Sequence, residues 1–192
     1  MIKIGIIGDI GSGKSYIGKQ FGYPVFNADN EVQNLYKKNK KCFKKLNKIL
    51  PKYIISFPIK KEEILKAILS NDRNLKKIGK IVHPEINVRM NKFIKSNKKK
   101  KFIILDIPLL MENKINKKKD ILVFVDANKK EINKRLRKRN GFNKKVIRIF
   151  KKLQLPVEFK KKKSHFIIKN NFKTNSVKKN VKRVLKKLIL NA

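Results

Sequence analysis

The chain has 192 residues, 41% of them hydrophobic, with 53 lysines and arginines against 13 acidic residues and a formal net charge of +40. That length supports one respectable core rather than two independent domains, and the apolar share excludes a disordered polyelectrolyte. No apolar run is long enough to cross a bilayer, and the single cysteine, Cys42, excludes an intrachain disulfide, so a cytoplasmic protein is expected, with Cys42 packed in a helix.

Ile2–Ile7 reads as a short buried strand, too brief for the apolar core of a signal peptide. It leads straight into Gly8-Asp9-Ile10-Gly11-Ser12-Gly13-Lys14-Ser15, which meets the pattern G-x-x-x-x-G-K-[ST] at Gly8, Gly13, Lys14 and Ser15. A strand before such a loop and a helix pattern after it suit phosphate binding. The glycines let successive N–H groups converge on phosphate oxygens, and the helix start adds partial positive charge. The expected ligand is ATP with Mg²⁺, held by Gly8, Gly11, Ser12, Gly13, Lys14, Ser15 and the backbone N–H of Tyr16. Lys14 is expected at the β- and γ-phosphates and Ser15 at the metal. The loop alone does not separate kinases from GTPases, motors or transporter ATPases. The short chain and the lack of a GTPase base-reading motif lean towards a small-molecule kinase.

Pro24-Val25-Phe26 is a weaker strand candidate, followed by Asn27-Ala28-Asp29. Asp29 falls between strand and helix, where a carboxylate can accept the proton of an attacking hydroxyl or cap the helix; the two roles are compatible. From Asp29 to Lys101 the pattern is helical, with apolar faces at Val32, Leu35 and Tyr36, at Ile64, Leu65, Ile68 and Leu69, and at Ile86, Met90, Phe93 and Ile94. The last of these is predicted to start after Pro84, a favoured first-turn residue, with His83 just outside the helix. His83 is read either as a cap or packing residue or as an acceptor contact. Phe102–Ile107 is the next strand. Near its end, Asp106 either holds Mg²⁺ or caps the turn into Pro108-Leu109-Leu110.

Ile121–Val125 and Phe166–Ile168 complete the predicted strands, with helices over Glu131–Lys138, Lys145–Leu153 and Val177–Leu190. Arg135 and Arg139 fall at i and i+4, from where a guanidinium can reach the transferring phosphoryl group. Alternating strands and helices imply a parallel sheet covered on both faces. The lysine runs 98–101, 117–119 and 160–163 are predicted as solvated loops. They carry no interleaved aromatics, so the charge reads as A/T-rich compositional drift, and no specific nucleic-acid partner is expected.

Beyond the loop, Asn27-Ala28-Asp29, Val82-His83-Pro84, Asp106 to Glu112, Arg135 with Arg139, Gln154-Leu155-Pro156 and Phe166 to Asn171 occur in an order that resembles the dephospho-CoA kinase family along essentially the whole chain. The resemblance implies ATP- and Mg²⁺-dependent phosphorylation of the ribose 3′-hydroxyl of dephospho-CoA, in a P-loop nucleoside-triphosphate hydrolase-like three-layer α/β fold with a parallel five-stranded sheet. It implies a single domain: a core of residues 1–28, 102–139 and 165–192, a helical acceptor-binding region at 29–101 and a lid at 140–164. It gives catalytic roles to Asp29, Lys14 and Arg139, acceptor contacts to His83, Pro108, Leu109 and Leu110, and metal binding to Ser15 and Asp106. Lys160 matches a family lysine. The chain departs from the family pattern at Tyr16 (usually Thr), Asn27 (Asp), His165 (commonly Asp), Lys169 (Asp) and Phe172 (Gly); the last two touch the adenine pocket. The alternatives are another small-metabolite or nucleoside P-loop kinase and, from a different class, a basic nucleic-acid-binding ATPase.

Overall fold

The computed structural model of the chain describes residues 1–138 and 141–190. Its strands are β1 (Ile2–Gly8), β2 (Val25–Asn27), β3 (Phe102–Asp106), β4 (Ile121–Ala127) and β5 (Phe166–Asn170). Its helices are α1 (Lys14–Gln20), α2 (Ala28–Lys38), α3 (Lys40–Ile49), α4 (Lys61–Ser70), α5 (Arg73–Ser96), α6 (Lys129–Arg137), α7 (Lys144–Lys152), α8 (Val157–Lys162) and α9 (Thr174–Leu190). The strands form one sheet in the order β2-β3-β1-β4-β5, and every pairing is parallel. This is the α/β arrangement that the alternating pattern implies. Among the described residues no helix is long and apolar enough to cross a membrane.

Contacts divide the chain into two compact units, one of Met1–Asn27, Asn97–Phe142 and Lys151–Ala192, the other of Ala28–Ser96 and Asn143–Phe150. The first holds the sheet. All five residues of β3 are buried, as a central strand covered on both faces requires. On one face, Val177, Val181, Val184 and Leu188 of α9 recur at helical spacing. They join Ile17 of α1 and Phe21, its C-cap, against Ile4, Ile6, Phe102, Ile104, Val123, Val125 and Ile168. Each such side chain contributes roughly 1.5–3 kcal/mol by leaving water.

The second unit is helical. Leu35, Cys42, Leu46, Ile64, Ala67, Ile68, Ile78, Val82 and Ile86 are among its buried apolar residues. Asn39 caps α3 by accepting the Cys42 N–H at 2.8 Å. Burial pushes the Cys42 thiol up to about 11, with Glu85 adding to the rise and Lys45 and Arg89 opposing it. Cys42 is therefore a packed helix residue, as expected from sequence. Arg89 of α5 donates to Glu31 of α2 at 2.9 Å.

Two local expectations are corrected. Pro84 does not open a helix: α5 runs for 24 residues with Pro84 inside it, so His83 is a mid-helix residue. Ile78, Val82 and Ile86 keep one buried face on both sides of the proline, and that packing outweighs the lost backbone bond. The lysine run 160–163 is not wholly a solvated loop either, because Lys160 lies in α8 and is buried. Lysines 98–101 and 117–119 are exposed as expected.

Candidate functional site

A parallel sheet brings its strand ends to one edge, here Gly8, Asn27, Asp106, Ala127 and Asn170. β1 lies in the middle, with β3 and β2 on one side and β4 and β5 on the other, so the order reverses at its end. Such reversal points leave a crevice at the carboxyl edge, where α/β sheets bind ligands.

The phosphate loop fills that crevice. Gly8, Gly11 and Gly13 all have positive φ. Gly13 caps α1 in the left-handed region, and a Cβ there would lie 2.4 Å from Asn170 Nδ2, so no other residue fits without displacing it. No side chain caps α1 and no acid stands in its first turn. An uncapped helix start with no acid beside it suits anion binding. Lys14 donates its Nζ to the carbonyls of Gly8 at 3.2 Å and Asp9 at 2.8 Å. Ser12 is fully buried and its hydroxyl has no hydrogen-bond partner among the described residues. A buried hydroxyl left this way is costly unless a ligand engages it. Ser15 and Tyr16 are exposed on the first turn of α1.

Asn170, at the end of β5, was given no role from sequence, yet it ties the loop down. Its Nδ2 donates to the Ser12 carbonyl at 2.7 Å, and its Oδ1 accepts the Phe172 N–H at 2.8 Å. Phe172 has φ 61°, and the Arg135 guanidinium stacks 4.4 Å from its ring centroid. The left-handed backbone explains why glycine suits this position, and the stacked pair shows what the phenylalanine adds.

Asp106 is 3% exposed and accepts a hydrogen bond from the Asn27 amide, its register partner across β2 and β3. Beyond β3, Pro108 is exposed, Leu109 has φ 57°, and Leu110 is buried. Leu110 rests on β1 because position 5 is glycine; a Cβ there would meet its Cδ2 at 2.4 Å. Its direct contribution is therefore to hold the loop. Asp29 is exposed in the first turn of α2, two residues beyond the last paired residue of β2. His83 is exposed, with its ring over Gly79 one turn earlier in α5. His165 pairs with Leu122, donating its N–H to the carbonyl at 2.9 Å and accepting the Leu122 N–H on Nδ1 at 3.0 Å, a local structural role. Arg139 lies outside the described residues.

For Mg²⁺, no group of three or more His, Cys, Asp or Glu residues among the described residues forms a metal cage. Ser15 and Asp106 are oxygen donors of the kind that Mg²⁺ uses with substrate phosphates and its own waters, so the residues fit such an ion.

A family model, CoaE: Dephospho-CoA kinase, matches residues 2–176. A dephospho-CoA kinase of Wolbachia pipientis wMel is 34% identical over 193 residues, spanning 98% of each chain. One of Fusobacterium nucleatum is 31% identical, spanning 94% of this chain and 95% of the relative. Among solved structures, a Thermus thermophilus protein superposes with a TM-score of 0.77 at 26% identity over 99% of this chain and 97% of its own. A dephospho-CoA kinase from Campylobacter jejuni superposes with a TM-score of 0.62 at 20% identity over 96% of both chains, a likeness of fold.

Proposed function

This chain belongs to the dephospho-CoA kinase family, and on that premise we propose that it transfers the γ-phosphoryl group of ATP to the ribose 3′-hydroxyl of dephospho-CoA, giving CoA and ADP. The observation that carries the reading is the phosphate loop, whose helix start lacks a side-chain cap and whose buried Ser12 hydroxyl has no hydrogen-bond partner among the described residues.

In this reading the loop N–H groups, with that of Tyr16, hold the triphosphate. Lys14 leaves the carbonyls of Gly8 and Asp9 for the β- and γ-phosphate oxygens, which are stronger acceptors. Arg135 and Phe172 flank the adenine, where Lys169 and Phe172 stand in place of the family's aspartate and glycine. Asp29 orients the 3′-hydroxyl and accepts its proton as the oxygen attacks the γ-phosphorus and ADP leaves. Arg139, directly before the lid at residues 140–164 in sequence, stabilises charge on the transferring group. His83, Pro108 and Leu109 are the acceptor contacts, and Leu110 supports the loop after β3. Ser15 and Asp106 would hold Mg²⁺, which when bound would neutralise charge on the phosphate oxygens. The protein works in the cytoplasm and needs no nucleic-acid partner.

Asp29→Asn tests the assignment of the base. ATP affinity by calorimetry is expected to stay within about twofold, while kcat falls about a hundredfold or more. Near-normal turnover in that variant contradicts the assignment.

A further inference from the structure

Lys160 is the only buried lysine among the described residues, 2% exposed in a chain with 53 basic side chains. Its Nζ donates to Gln154 Oε1 at 3.2 Å and lies 3.6 Å from Glu112 Oε1. That same Glu112 oxygen accepts the backbone N–H of Leu155 at 3.0 Å. The Glu112 side chain is itself only 10% exposed. Compositional drift scatters lysines over a surface; it does not explain one taken out of water and given a carboxylate and an amide oxygen. A buried ion pair is weak support for stability compared with apolar packing, but it fixes the positions of the groups it joins.

The joined groups come from two places. Glu112 follows Pro108-Leu109-Leu110 on the loop after β3, and Gln154-Leu155 is the stretch between α7 and α8. The Gln154–Val157 segment walls a cavity of about 360 Å³ that also takes in Asp9, Asn133 and Lys151. Asp9 belongs to the phosphate loop, and its carbonyl holds the Lys14 ammonium. A loop lysine of this kind serves the β- and γ-phosphates, so the cavity adjoins the place where the transferred group sits.

We propose that Lys160, Glu112 and Gln154 form a positioning cluster, which locks Leu155 and Pro156 as a cavity wall and so sets the affinity for the phosphoryl acceptor. This inference rests on the kinase reading above. None of the three side chains touches the reacting atoms in it. They act through the backbone of Leu155 and through the loop that carries Pro108 and Leu109.

The test is steady-state kinetics of the full chain with each substrate varied in turn. Lys160→Met and Glu112→Gln are each expected to raise the KM for dephospho-CoA about tenfold, with the KM for ATP within about twofold of the parent. The double variant is expected to lose no more than the worse single one, because the residues act as a unit. Gln154→Leu keeps both charges and the Leu155 hydrogen bond, so it remains informative if the charge variants fold poorly. It is expected to raise the acceptor KM with the melting temperature within a few degrees of the parent. Unchanged acceptor KM values, or equal rises for both substrates, overturn the cluster while leaving the kinase reading intact. A parent chain that dephospho-CoA does not stimulate overturns both.

Discussion

Asn27 stands where the family has a carboxylate, and the pairing of β2 with β3 sets it opposite Asp106. Its amide donates to that buried carboxylate, so the exchange of one atom type turns a like-charge pair into a hydrogen-bonded one. Asn27→Asp is expected to destabilise the chain by about 1–3 kcal/mol near neutral pH, since it leaves two carboxylates facing each other. Added Mg²⁺ is expected to restore part of that loss, more than it stabilises the parent. Urea unfolding with and without Mg²⁺ checks both effects, and an Asn27→Asp chain as stable as the parent contradicts the pairing. At this scale the sequence was legible where residue type and spacing coincide with one chemistry, as at Gly8, Gly13 and Lys14. It was not legible for Asn170, whose hydrogen bond to Ser12 spans 158 positions. Nor could it tell buried Lys160 from its exposed neighbours Lys162 and Lys163, because a run of one residue type carries no periodicity.

Elements with strong periodicity or a buried apolar run were legible from sequence, including all five strands, with bounds differing by only a few residues. Helix α5 shows where local punctuation misleads. Proline usually marks a first turn, yet Ile78, Val82 and Ile86 continue one face across Pro84, and tertiary burial decides the outcome. The helix therefore bears a proline whose missing N–H is a cost of up to about 3 kcal/mol relative to alanine. Pro84→Ala is expected to raise stability by about 1 kcal/mol, less than the full cost because the helix has already adapted around the ring. Chemical unfolding measures this. A loss of stability on that change means that the proline supports packing which the backbone argument omits.

At the scale of the whole molecule, the net charge of +40 is the property least explained by fold. The exposed lysine loops give it no patterned aromatic surface, but its field acts on any polyanion that approaches. Both substrates of the proposed reaction are polyanions. Raising salt from about 0.05 to about 0.5 M is expected to lower kcat/KM several-fold for each of them, with kcat nearly constant, because screening weakens encounter rather than the bound site. Salt-independent kcat/KM values contradict a steering role for the charge. The fold class and the donor site are written in local pattern, strand–loop–helix, and so could be read directly. The acceptor could not, because the contacts proposed for it, His83, Pro108 and Leu109, are distant positions that no periodicity links; it came from the ordered motifs and the family match.

The acceptor is therefore the claim to test most directly. ADP release, coupled to an indicator reaction, should be measured with Mg²⁺ and ATP against dephospho-CoA, shikimate, gluconate and a set of nucleosides. Stimulation by dephospho-CoA alone, with CoA as the product, is the expected result. No stimulation by dephospho-CoA, or a larger response to another acceptor, contradicts it.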